Sequence, residues 1–298
     1  MAEKSNIAWT DSSWNPVRGC ERVSEGCRKC YAEVLAARHS YAGGWGEGLA
    51  QWVERPNGVK EARWTGVIRT VGEMLDAPLR WRKPRRVFVN SMSDLFHQDV
   101  PEAFIDKVYA VMAMAPRHTF QILTKRPERM LAYLEQVSDE KDMQRWINAA
   151  ADMNAPGDCI GYLEREVDWP LENVWHGVSA EDQDTFDERV EILGQVPSAV
   201  RFVSAEPLLG SIDVGNAFDD APDGSQYQPI DWIIVGAESG QDHRPMDIDA
   251  ARWLIRQCKL ARKAVFVKQD NGPRPGMQGR FTAEEWALKE YPEARQVA

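Results

Sequence analysis

The stretch Trp232-Ile233-Ile234-Val235-Gly236-Ala237-Glu238-Ser239-Gly240 is a short apolar run that stops abruptly in polar residues. Five other segments follow the same plan: 86–91, 118–124, 174–179, 200–204 and 264–268. Each is short and rich in Val, Ile, Phe or Trp, which predicts a strand. Near-continuous apolar character fits parallel strands covered on both faces. Helix-like segments at 101–115, 127–137, 182–193 and 247–260 lie between them, and this alternation is the βα repeat. The run 200–204 leads instead into Ala205-Glu206-Pro207-Leu208-Leu209-Gly210, which reads as a loop, and 219–228 reads as a surface loop. A seventh strand is expected around residues 7–10. The expected fold is therefore α/β, a partial or full (β/α) barrel in a single domain over 1–298. Segments 33–66 and 136–171 break the rhythm and are expected to be insertions or lids. An open, doubly wound sheet is the alternative. No Gly-x-Gly-x-x-Gly follows a strand, and no Walker A sequence is present.

With 298 residues, 43% of them hydrophobic and 28% charged, the chain is long enough for a substantial core and reads as globular. A net charge of -10 argues against a protein that grips duplex nucleic acid by its phosphates. It leaves room for a small nucleotide and for the basic turn at 80–86. The opening residues lack an apolar targeting stretch, and no apolar run is long enough to span a bilayer. The expectation is a cytoplasmic chain without a membrane partner; nothing in the sequence sets its oligomeric state. The twelve tryptophans either line a cavity or anchor the structure.

In a β/α barrel, chemistry collects at the C-terminal ends of the strands. Here those ends are polar: Asn90-Ser91-Met92-Ser93-Asp94, Thr124-Lys125-Arg126, Ser179-Ala180-Glu181, Ser204-Ala205-Glu206, Glu238-Ser239 and Lys268-Gln269-Asp270-Asn271. Six polar ends in succession predict one common pocket. Lys125 and Arg126 suit a carboxylate or phosphate. Glu206 and Glu238 suit an amine or hydroxyls, with structural hydrogen bonding as the alternative. His97 and His118 read as structural.

Three cysteines crowd the start of the chain: Cys20, Cys27 and Cys30, in Gly19-Cys20-Glu-Arg-Val-Ser-Glu-Gly26-Cys27-Arg-Lys-Cys30-Tyr31. A pair two residues apart points to metal or redox chemistry in a reducing compartment. Zinc would take a fourth ligand, such as His39, or a water. A [4Fe-4S] cluster on three thiolates would keep one iron open. Cys159 and Cys258 stand apart.

The cysteine spacing resembles the cluster loop of radical S-adenosylmethionine enzymes. It departs from their commonest pattern in having six residues between the first two cysteines and Lys29 before the last. Over nearly its full length the chain is similar to the phage Gp37/Gp68 family, a domain of formerly unknown function. The matching blocks are Trp9-Thr10-Asp11-Ser-Ser-Trp14-Asn15-Pro16, the cysteine run, Phe88 to His97, Phe120 to Pro127, Arg201 to Leu208, Ile234 to Gly240 and Phe266 to Gln269. Ala237 stands where a second glycine is usual. The resemblance implies a barrel of the radical S-adenosylmethionine type, with a [4Fe-4S] cluster on Cys20, Cys27 and Cys30. It implies S-adenosyl-L-methionine held among Asn90, Ser91, Ser93, Asp94, Lys125, Ser204, Glu206 and Glu238. Catalysis would fall to the three cysteines, Lys125 and Glu206. A 5'-deoxyadenosyl radical would modify a substrate such as a nucleotide or nucleic-acid base, with flavodoxin or ferredoxin as reductant. The alternatives are a zinc-dependent hydrolase or deaminase, and a non-enzymatic zinc-containing binding protein.

Overall fold

A computed structural model describes residues 5–137, 140–165, 167–219, 228–240 and 242–293. The chain opens with β1 (Ser12–Trp14), β2 (Val17–Arg18), a 3-10 turn over Glu25–Cys27 and α1 (Tyr31–Arg38). A hairpin follows, β3 (Ala50–Glu54) and β4 (Lys60–Trp64), then β5 (Arg69–Thr70) and α2 (Ala77–Arg80). Next come β6 (Arg86–Val89), α3 (Glu102–Ala113), β7 (Thr119–Thr124), α4 (Pro127–Leu134), α5 (Glu140–Asp152) and α6 (Gly157–Arg165). The chain continues with β8 (Val174–Ser179), α7 (Gln183–Leu193), β9 (Val200–Ala205), β10 (Trp232–Gly236), α8 (Ile248–Leu260), β11 (Ala264–Gln269) and α9 (Ala283–Trp286).

The main sheet runs β1-β6-β7-β8-β9-β10-β11, and every neighbouring pair is parallel. Chain order equals spatial order. A doubly wound sheet requires a reversal at a switch point, so that alternative is excluded. The sheet is open and curled, a half-barrel. Neighbouring strands lie about 4.8 Å apart, which would put β6 and β10 roughly 19 Å apart in a flat sheet. Yet the Trp9 ring meets both Phe88 of β6, at 4.6 Å, and Trp232 of β10, at 6.1 Å. Only a curled sheet brings both strands to one indole.

Six strands fall where the apolar runs predict them, and 101–115, 127–137, 182–193 and 247–260 contain α3, α4, α7 and α8. The seventh strand is displaced. Residues 7–10 form a turn, with the Thr10 amide donating to Ile7 O at 3.2 Å, and Ser12–Trp14 pairs with β6 instead. That shift frees Trp9 to drop onto the concave face. Ala205 still belongs to β9, and the expected loop holds no helix or strand from 206 to 210, whereas most of the loop expected at 219–228 lies outside the described residues.

Alternation along the strands sorts the two faces. Val87, Val89, Phe120, Ile122, Val203, Val235 and Val267 pack outward under the helices. Trp9, Phe88, Trp175, Phe202, Trp232 and Phe266 fill the concave side. Three of the tryptophans thus plug the half-barrel floor rather than line an open cavity. Each such ring buried removes apolar surface worth about 2–3 kcal/mol.

Gly177 makes this floor possible. It faces Phe202 across the β8–β9 pair, and a Cβ there would lie 2.6 Å from the ring. Gly177→Ala is expected to destabilise the chain by about 1–3 kcal/mol through overpacking. Urea denaturation checks this, and an unchanged midpoint would show that Phe202 can move aside.

Candidate binding site at the strand ends

The C-terminal ends of the strands gather charged and hydroxyl side chains, but most of them are already committed. Ser91 Oγ donates to Asn15 Oδ1 at 3.1 Å, and Ser93 Oγ donates to Val17 O at 2.8 Å. Asp94 accepts from Thr124 Oγ1 at 2.8 Å, the Phe96 amide at 3.0 Å, the Lys125 amide at 3.2 Å and Arg126 Nη1 at 2.9 Å. Four donors saturate a carboxylate. These three residues tie β6 to the loop after β1 and to β7, so their contacts are scaffold contacts. Asn90 differs. It is 2% exposed with φ of 62°, its Oδ1 accepts from the Val17 amide at 3.1 Å, and its Nδ2 is buried without a partner among the described residues.

Glu238 is held by Arg244, which donates from its amide at 2.8 Å and from Nε at 3.0 Å. Arg244 Nη2 then reaches Glu25 O in the cysteine loop at 2.9 Å. Glu206 pairs with Lys268, above Gly236, where a Cβ would come within 3.3 Å of the Glu206 carboxyl carbon. Glu181 is fully buried. It accepts from the Gly26 amide at 3.1 Å and from Arg189 Nη1 at 3.1 Å. Burial pushes its carboxyl up, but Lys125, Ser24, Arg189 and the Gly26 amide more than offset that and hold it below the usual carboxylate range.

A row of side chains makes no side-chain hydrogen bond among the described residues. Thr124 pairs with Val178 and Ser179 with Ser204, so Lys125, Ser179 and Ser204 stand side by side on three adjacent strands. They continue the inward-facing alternation above Leu123, Gly177 and Phe202. Neither serine hydroxyl has a hydrogen-bond partner among the described residues. The nearest acid to Lys125 Nζ is Glu181 Oε2 at 3.9 Å, beyond hydrogen-bonding reach. Arg189 already matches that carboxylate. Tyr31 borders the same mouth: the residue is 47% exposed and its hydroxyl donates to Ser91 O at 2.6 Å.

The cysteines do not form the expected centre. Among the described residues, no three or more His, Cys, Asp or Glu side chains are gathered as a metal ion requires. Cys20 Sγ donates to Glu21 O at 3.4 Å, whereas Cys27 Sγ meets Ser24 Oγ at 3.9 Å. Burial, with Asp94 adding and Arg126 opposing, pushes the Cys20 thiol up to about 12, and burial raises Cys30 as well. His39 belongs to no such gathered set; its Nδ1 lies 2.9 Å from Leu35 O and its ring stacks on Trp45. The donor arrangement overturns the [4Fe-4S] cluster and, with it, S-adenosyl-L-methionine as cofactor, the radical enzyme and its flavodoxin or ferredoxin reductant. It equally overturns the zinc hydrolase, deaminase and zinc-containing binding protein.

Other expected features lie elsewhere. Arg86 of the basic turn is bound to Asp11 at 3.2 Å and covers the Tyr291 ring, at the opposite end of β6. His118 Nε2 lies 3.1 Å from Pro78 O, and the His97 Nδ1 accepts from the Asp99 amide at 3.2 Å, both structural roles. A shallow depression lined by Asp231, Lys259, Arg262 and Glu290 lies at the starts of β10 and β11, away from the mouth. Sequence reasoning missed Arg189 and Arg244. Arg189 lies on the Phe186–Val190–Leu193 face of α7, and a cation on a buried face signals a buried acid. Arg244 lies outside any periodic segment and gave no such signal.

The family described as "Protein of unknown function (DUF5131)" matches residues 4–285. The chain belongs to this family. No curated protein matches it. No solved structure matches it. Among the described residues, no helix is long and apolar enough to cross a membrane.

Proposed function

We propose that this DUF5131 protein binds a small, anionic, hydroxyl-bearing ligand in the mouth of its half-barrel. The observation that carries this reading is the row Lys125–Ser179–Ser204, a cation held only by a 3.9 Å ion pair to Glu181 and two hydroxyls without a hydrogen bond, where nearly every neighbouring polar group is paired. Lys125 meets the anionic group, and the serines meet hydroxyls. The orphaned Asn90 Nδ2 supplies a further donor at the same end of the sheet. The Glu206–Lys268 and Glu238–Arg244 pairs form the polar wall. A nucleotide fits this chemistry, with its phosphate on Lys125 and its ribose on the serines. The concave tryptophans pack on one another and offer no face to a base, so recognition rests on the polar row and on the exposed Tyr31 ring.

Thermal unfolding in the presence of inorganic phosphate, citrate and a nucleoside monophosphate tests the reading. A ligand at a hundredfold excess over its Kd adds about 2.7 kcal/mol, a Tm rise of roughly 5 °C. Lys125→Met is expected to remove that rise, measured against the variant's own ligand-free Tm, because Glu181 loses a 3.9 Å ion pair there but keeps Arg189. Phosphate also stabilises proteins by exclusion from their surface, and the Lys125→Met chain subtracts that effect. Equal shifts in parent and variant with all three probes would overturn the assignment.

A further inference from the structure

We propose that Cys27 and Cys30 form a reversible dithiol–disulfide couple at the rim of the strand ends. The 3-10 turn over Glu25–Cys27 continues through Arg28 in helical geometry, and the Cys30 amide donates to Cys27 O at 3.3 Å. The two residues therefore sit one turn apart on the same side of the chain. Neighbours at that spacing have Cβ atoms about 5–6 Å apart, and a disulfide needs roughly 3.5–4.5 Å. Closing the difference takes a local tightening of about 1–2 Å. The turn can supply it, since Glu25–Cys27 contributes no buried residue to the core.

The surroundings fix the pair while leaving it accessible. Arg244 holds Glu25 O and Glu181 holds the Gly26 amide on one side, and Cys30 caps α1 on the other. Both sulfurs belong to partly exposed residues, and all five cysteines are free. Arg28 and Lys29, between them, are exposed. Arg28 makes only an exposed ion pair with Glu25, and Lys29 makes no ion pair among the described residues. Two exposed cations beside the thiol pair draw in an anionic disulfide of the glutathione type. Cys20 is directed to Glu21 O, while Cys159 and Cys258 sit on α6 and α8.

The exchange balances with that disulfide as oxidant. The Cys27 thiolate attacks one sulfur, forming a mixed disulfide and expelling one small thiolate, which takes up a proton. The Cys30 thiol loses its proton to solvent and attacks the Cys27 sulfur, expelling the second small thiolate. Two protein thiols are oxidised by two electrons, and one small disulfide is reduced to two thiols.

Incubation of the full chain with oxidised glutathione, followed by intact mass and a non-reduced tryptic map, tests this. The expected result is a loss of about 2 Da, two of the five thiols consumed, and reversal by dithiothreitol. Trypsin cuts after Arg28 and Lys29, so a Cys27–Cys30 bridge joins peptides that otherwise separate. Cys20→Ser is expected to keep the bridge; Cys27→Ser and Cys30→Ser are expected to lose it. A stable glutathione adduct, a bridge that requires Cys20, or five unreacted thiols would each overturn the proposal.

Discussion

A chain carrying Glu181→Leu is expected to unfold about 10 °C below its parent, the largest effect of any single substitution at the strand ends. Glu181 is fully buried, and Arg189 is only 6% exposed. The substitution keeps an apolar volume in place but leaves the guanidinium without its carboxylate. Breaking one side of a buried pair costs about 3–5 kcal/mol, because the remaining charge stays desolvated. Arg189 keeps its bond to Ser179 O at 2.7 Å, a neutral acceptor that cannot replace the lost charge. The Gly26 amide loses its acceptor too, so the cysteine loop loosens and trypsin cuts faster at Arg28 and Lys29. Adding Arg189→Met should recover more than half the loss, since replacing both partners with apolar groups removes the desolvation penalty. If both single variants unfold within about 1 kcal/mol of the parent, the pair is solvated and the loop is anchored by other means.

That buried pair also shows why the fold was more legible than the site. The strands were readable because each carries a concentrated apolar run. β1 escaped because Ser12-Ser13-Trp14 is short and polar and takes its place only through pairing with Val87, Phe88 and Val89. The polar strand ends were readable as a set, but their division was not. Ser91 and Ser93 resemble Ser179 and Ser204 in sequence. The first two are occupied because Asn15 and Val17, far earlier in the chain, bring acceptors to them. The second two face the concave side and meet no such loop. Cysteine spacing gave proximity, whereas the direction of each sulfur depends on where Glu181 and Arg244 pin the loop. The iron–sulfur expectation rested on resemblance and spacing, and the arrangement of donors does not sustain it.

Acidification is expected to destabilise the chain from about pH 6.5 downward, before carboxylates titrate. His176, 2% exposed on β8, sits between the Tyr109 hydroxyl, 2.8 Å from Nε2, and Ser198 Oγ, 2.8 Å from Nδ1. Burial, with the nearby charge of Arg201, brings its pKa down from 6.5 to about 3. The sign follows from proton counts. Between those two values the unfolded chain binds a proton that the folded chain refuses, so stability is fully present above pH 6.5 and drains away as the pH falls towards 3. From pH 6.5 to 5 this residue alone costs about 2 kcal/mol. His118 and His97 are lowered by burial as well and act in the same direction. Glu181, also lowered, acts in a separate window: its contribution is present above the ordinary carboxylate range and is lost only as the pH falls through its depressed value. Net charge works against the histidines, because a chain at -10 sheds self-repulsion as it is acidified. Comparison with a His176→Gln chain separates the two, since both carry nearly the same surface charge. Urea midpoints between pH 7.5 and 5 are expected to fall more steeply in the parent, by about one proton's slope. Parallel lines would mean that the His176 ring takes up its proton in the folded chain, and that the β8 core admits a charge its burial should forbid.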